Sequence, residues 1–286
     1  MRLVSRPWKD FVGQNISELR LDLSKTISVP CPLAMALERC GSAFPATKSL
    51  FLGPPPMPSS AWQPGPLQAL NFPHLQHLDA SQWTALTQEE LQSLCQGCPR
   101  LQSVTLRLQD ATLGEAVAAL APLKQLQHLD ICAHPTGEED LYLLQGLTSL
   151  ALGRSFASGS SKRDPEEDWD SGYGACTLPA KGLAFSTAGP AAAKGPPISD
   201  AALLAVAKLP KLQVLDVHIG RASHVGIEAL GCLGGLRKLT VRMDRLSPVA
   251  STALEATTQR LAVLEEVEVL VGATACPLKG RTGGCK

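Results

Sequence analysis

Aromatic residues are scarce in this chain of 286 residues, at 4% against an apolar share of 44%. An interior must therefore be built from Leu, Val, Ile and Ala. Net charge is missing too, with 26 basic and 26 acidic residues, so the overall field that marks a nucleic-acid or anionic-membrane binder is absent. Neither nucleic acid nor membrane is expected as a partner. No stretch approaches the ~18 consecutive apolar residues of a membrane span, and the opening Met1-Arg-Leu-Val-Ser-Arg-Pro-Trp8 lacks the apolar run of a secretory signal. A cytoplasmic protein is expected, with the nucleus as the second compartment.

A disulfide framework is also lacking: the nine cysteines are odd in number and irregularly spaced, which fits reduced thiols. Cys95-Gln-Gly-Cys98 is a lone CxxC without a second pair, and reads as a buried helix cysteine followed by a turn cysteine. GxxxxGK[ST], GxGxxG, HExxH and GxSxG do not occur, so phosphate cradles and the common nucleophile and zinc motifs are absent. No cofactor, no metal and no catalytic residue is expected, and the chain reads as a non-enzyme.

What is present is a repeated string, apolar-x-x-apolar-x-apolar. It begins at Ile16, Leu75, Leu101, Leu126, Leu147, Leu212, Leu236 and Leu264, with a weaker copy ending in Leu50-Phe-Leu52. The steps from Leu75 are 26, 25 and 21 residues, then 24 and 28 from Leu212. Alternation within each copy is that of a strand with one apolar face. Between copies the spacing turns helical: Thr87-Gln-Glu-Glu sets a capping residue and an acidic first turn before Leu91, Leu94 and Cys95. Leu113 to Leu120, Ser199 to Ala207 and Val225 to Leu233 read alike, so each unit is a strand followed by a helix.

A strand takes ~4.8 Å of stacking distance and a helix about 10 Å. Stacked units must bend, with the strands inside the arc. The predicted fold is α/β, a right-handed β-α superhelix with a parallel sheet on the concave face and helices on the convex face.

The segment LQHLDASQWTALTQEELQSLCQGCPRLQSVTL, with its Cys98-Pro99-Arg100-Leu101 turn, resembles the cysteine-containing leucine-rich repeat of the RNI-like type found in F-box proteins. The likeness covers most of 16–152 and 198–272. Leu3-Val-Ser-Arg-Pro-Trp8-Lys-Asp-Phe-Val12 is similar to the last helix of an F-box. That resemblance implies a ubiquitin-ligase adaptor as a partner, with Trp8 as the contact, although the earlier F-box segment that supplies most of the adaptor contact is absent from the chain.

The organisation read from these signals is a partial F-box-like helix at 1–15, repeats at 16–152 with a Pro-rich loop at 53–73, and a disordered insertion at 153–197. Repeats resume at 198–272 and a disordered Gly-rich tail follows at 273–286. The tail offers no polar cap, so an exposed last strand is expected to favour association.

Positions three, five and seven of each copy point away from the core. They supply the candidate binding residues of the concave face: Arg20, His77, Asp79, Thr105, Arg107, His128, Asp130, Asp216, His218, Lys238, Arg242, Glu266 and Glu268. His77 and His128 do not form a metal site, since the strand from Leu101 lies between them and puts them about 9.6 Å apart, two strand spacings. Arg107 is expected to bridge Asp79 and Asp130 as a surface ion pair. The expected function is a protein-protein interaction module, the substrate-recognition part of an F-box-type ubiquitin-ligase receptor. Two alternatives stand beside it: a small-GTPase regulator using Arg154 or Arg221, and a truncated scaffold without activity of its own.

Overall fold

Apolar residues recurring every second position within a copy, and every third or fourth between copies, give the chain one stripe per element to bury. The computed structural model describes residues 15–21, 33–53, 66–84, 86–153, 184–187, 198–219, 223–243 and 247–271. Ten strands form one sheet: β1 (Glu18–Leu21), β2 (Ser49–Leu52), β3 (His77–Ala80), β4 (Ser103–Thr112), β5 (His128–His134), β6 (Ser149–Leu152), β7 (Ala184–Thr187), β8 (Val214–Ile219), β9 (Lys238–Met243) and β10 (Glu266–Val271). Every ladder is parallel, and strands lie in chain order except that β7 sits beyond β10. The fold is α/β, compatible with a solenoid-like arrangement.

The register is set at the entry to each strand. The carbonyls of Ser17, Lys48, Gln76, Gln102, Gln127, Thr148, Gln213 and Arg237 each accept two successive N–H groups of the next unit, at 2.8 to 3.0 Å. Just upstream a tight turn recurs, in which Leu75, Leu101, Leu126, Leu147, Leu212, Leu236 and Leu264 donate to the carbonyl three residues earlier. One geometry repeated along the array keeps inward leucines in line. Leu78, Leu129, Leu215 and Leu239 accordingly share a single interior with Leu50, Val104, Leu150 and Val269.

Among the described residues six helices connect the strands: α1 (Leu33–Ala43), α2 (Gln88–Gly97), α3 (Leu113–Leu120), α4 (Asp200–Val206), α5 (His224–Ala229) and α6 (Pro248–Arg260). Capping boxes start α2 and α3: Thr87 and Thr112 accept from the N–H of Glu90 and Glu115, whose carboxylates return a bond to the cap N–H. Ser199, Ser223 and Ser247 cap the later helices. Each helix contributes its apolar face to the same core, Leu91 and Leu94 from α2, Val117 and Leu120 from α3, and Leu203 and Val206 from α4.

Three departures from the sequence expectation have physical causes. Between β5 and β6, where the step is shortest, a 3-10 helix (Glu138–Leu143) replaces the α-helix; it advances more per residue and so spans the gap in fewer residues. It is entered through Gly137 at φ 73°, and a Cβ there would lie 2.8 Å from the Cα of Gly114, which only glycine tolerates. Within the Pro-rich stretch 53–73 a 3-10 helix (Pro66–Ala69) docks instead of looping free, because Leu67, Leu70 and Phe72 are fully buried. Within the expected insertion 153–197 the described residues are Gly153, which follows β6, and the strand β7, while Ile198 just after it bridges to Ile219. The edge of β10 is therefore paired with β7 and not open.

Candidate functional site

The sheet face turned away from the helices carries the candidate residues in straight rows. In the first row Ser49, His77, Ser103, His128, Ser149, Val214, Lys238 and Glu266 are successive register partners. In the second stand Arg20, Phe51, Asp79, Thr105, Asp130, Ala151, Asp216, Thr240 and Glu268. The third pairs Arg107 with Cys132, and His218 with Arg242 and Leu270. Trp8, Arg154 and Arg221 lie outside the described residues.

Two bidentate ion pairs brace this face. Arg107 donates to Asp130 at 2.8 and 3.3 Å, and Arg242 to Asp216 at 3.1 and 3.0 Å. The Asp130 half of the expected bridge is present, whereas the Asp79 carboxylate accepts the N–H of Ser81 at 2.9 Å. A carboxylate two residues before a backbone N–H closes a local turn more readily than it reaches across strands. Lys238 meets Glu266 at 2.8 Å, and Arg20 both meets Glu18 at 2.9 Å and lies over the Phe51 ring at 4.8 Å.

Exposure is uneven along the rows. His77 and His128 are open to solvent, while Asp216 and His218 each keep only 6% of their surface and Thr240 4%. Asp216 and His218 thus belong to the packed part of the face, contrary to their expected display, because Arg242 spans the strands beside them. Cys132 is buried as well, and burial pushes its thiol up. Phe51, Ser149 and Ala151 complete the rows; Phe51 lies in the weaker copy, whereas Ser149 and Ala151 hold places three and five of the copy that begins at Leu147.

His77 and His128 are separated by Ser103, one strand spacing on each side. Among the described residues no group of three or more His, Cys, Asp and Glu is placed to hold a metal ion. Cys95 and Cys98 are both buried, and desolvation raises their thiols to about 12 and about 11. Such thiols stay protonated and poorly nucleophilic. Among the described residues no helix is long and apolar enough to cross a membrane.

No protein-family model matches this chain, and no curated protein does.

Proposed function

We propose that the chain is a leucine-rich-repeat solenoid that binds a protein target on its polar sheet face and is not an enzyme. The observation that carries this reading is the alignment of polar side chains across nine consecutive parallel strands by one register. Helices are wider than strand spacings, so an array of this kind curves around its sheet. The polar rows then line the inside of the arc, where solenoids present their contacts. The two braced Arg–Asp pairs hold part of that surface in a fixed shape and lower the ordering cost of association.

In its finer form the proposal makes the chain the substrate-recognition part of an F-box-type ubiquitin-ligase receptor. The support is the resemblance of the Cys98-Pro99-Arg100-Leu101 repeat and of the Leu3–Val12 stretch. The test is a photo-crosslinking amino acid placed at Ser103 or His128 on the sheet face, against one at Gln92 on α2, in the full chain expressed in cells. Adducts with one defined protein from the sheet positions alone are expected. Equal labelling from both faces, or none from the sheet, would overturn the binding role. Failure of the purified chain to bind the cullin-ligase adaptor in titration removes the ligase form and leaves the scaffold.

A further inference from the structure

The equal numbers of acids and bases conceal a separation that only folding creates. Among the described turns that lead from a helix into the next strand, 261–265 carries Glu265, which lies 3.8 Å from Arg237, whereas residues 44–48, 70–76, 98–102, 121–127, 144–148, 207–213 and 233–237 contain no Asp or Glu. The same turns carry Lys48, His74, Arg100, Lys124, Lys208, Lys211 and Arg237, all exposed. At the other ends of the strands the described residues collect acids instead: Glu89, Glu90, Glu115, Glu138, Glu139, Asp140 and Asp200. Parallel strands in near-uniform register stack equivalent turns about 4.8 Å apart at the sheet, so the basic residues line one edge of it, with a gap at 144–148. Arg100 Nη1 lies 3.3 Å from His74 Nδ1, which shows side chains of adjacent units meeting there.

Helix dipoles account for part of this pattern, since they favour acids at helix starts and bases at helix ends. Lys124, whose amine reaches the Ala121 carbonyl at 3.5 Å, is of that kind. Arg100 and Lys211 stand beyond the last helical turn, where the dipole has faded. Among the described residues Lys211 has neither a hydrogen bond nor an ion pair. It borders a depression of about 350 Å³ on the same rim, shared with Thr148, Gln213, Arg237 and the bare backbone of Gly234 and Gly235. A Cβ added at Gly234 would meet nothing within 4 Å, so a ligand chain has room to approach Lys211 beside Arg237, which also faces Glu265 at 3.8 Å.

We infer that this rim docks an extended acidic segment of a partner protein. A peptide in strand conformation advances ~3.4 Å per residue, so its carboxylates on one side fall ~6.8 Å apart, a spacing that long Lys and Arg side chains follow. Nucleic acid fits less well, because the exposed rings at the rim on which a base could stack are already engaged, Tyr142 by Lys208 at 5.8 Å and His74 by Arg100 at 3.3 Å. The inference stands whether or not the polar sheet face is itself a binding surface.

The test is fluorescence anisotropy of a labelled oligoglutamate peptide titrated with the full chain at low salt, beside a labelled poly(U) RNA. Saturable peptide binding that weakens with added salt is expected. The variant Arg100→Glu/Lys124→Glu/Lys211→Glu should bind about tenfold more weakly. Glu89→Lys/Glu139→Lys on the acidic rim should not weaken binding. The charge-neutral Arg100→Gln/Lys124→Gln/Lys211→Gln variant, with an unchanged circular dichroism spectrum, must show a smaller loss in the same direction. Absence of peptide binding, binding indifferent to the rim substitutions, or tighter binding of the RNA each overturns the inference.

Discussion

The carboxylate of Glu138 accepts the backbone N–H of Ser199 through both oxygens, at 3.2 Å each, and the Ser199 hydroxyl donates to the same group, although 61 residues separate the two. The chain between them departs after β6 and returns before α4. The bond thus clasps two consecutive units across the insertion, and Asp200 repeats the device one unit on by accepting the N–H of Ser223 at 3.0 Å.

Loss of this clasp is the first expected outcome. Glu138 is 3% exposed, so Glu138→Ala removes a buried carboxylate that takes the Ser199 hydrogen bonds, at a cost of about 1.5–3 kcal/mol. Ser199→Ala also removes the N-cap of α4 and should cost ~1 kcal/mol. Urea denaturation of the two single variants and the double variant measures the coupling. A double-variant loss equal to the sum of the singles would show that the two groups do not act together. Hydrogen exchange should quicken first in α4.

Reading such a clasp from sequence is impractical, because Glu138 becomes a partner of Ser199 only once β6 and β8 are neighbours. Repeated strands, by contrast, announce themselves: Leu75, Leu101, Leu126 and Leu212 recur at the spacing of one buried face, and the Thr87–Glu90 box marks a helix start by chemistry local to four residues. The rows of the sheet face were legible for the same reason. Their burial was not, since Asp216 and Asp79 hold the same place in the repeat and differ only in what stands beside them. The basic rim shows the same limit, as a net charge of zero says nothing of how charge is arranged.

That difference between equivalent aspartates supplies a second expectation. Asp216 is 6% exposed and holds Arg242 through two bonds, so Asp216→Ala strands a guanidinium and should destabilise by about 1–3 kcal/mol. Asp79 closes only a local turn with Ser81, and Asp79→Ala should cost ~0.5 kcal/mol or less. Equal midpoints in guanidinium denaturation would refute the ranking.

The cysteines give a pH dependence. Burial raises Cys95 from 9.0 to about 12 and Cys98 from 9.0 to about 11, so the folded chain holds these protons more tightly than the unfolded chain does. Their contribution is complete below pH 9 and is lost as pH rises through the folded values. Stability should fall on going from pH 8 to pH 10.5, and Cys95→Ala/Cys98→Ala, less stable at pH 8, should fall less steeply. In the native state at pH 8 iodoacetamide should modify the exposed Cys232 well before either buried thiol.

The last expectation concerns the far edge of the sheet. β7 pairs with β10 over Glu268↔Ala184 to Val271↔Thr187, which removes the row of unpaired N–H and C=O groups that β10 otherwise presents. An uncovered strand of sequence Glu-Val-Glu-Val-Leu-Val is prone to edge-to-edge pairing, and Glu266 and Glu268, both on the polar face, oppose it only through charge. Replacing Ala184–Thr187 with Gly-Ser-Gly-Ser should therefore give a chain whose scattering mass rises with protein concentration, more so at high salt, where the glutamates are screened. The parent should stay at one mass over the same range. A substituted chain that remained at the parent's mass at every concentration would mean that β7 does not guard this edge.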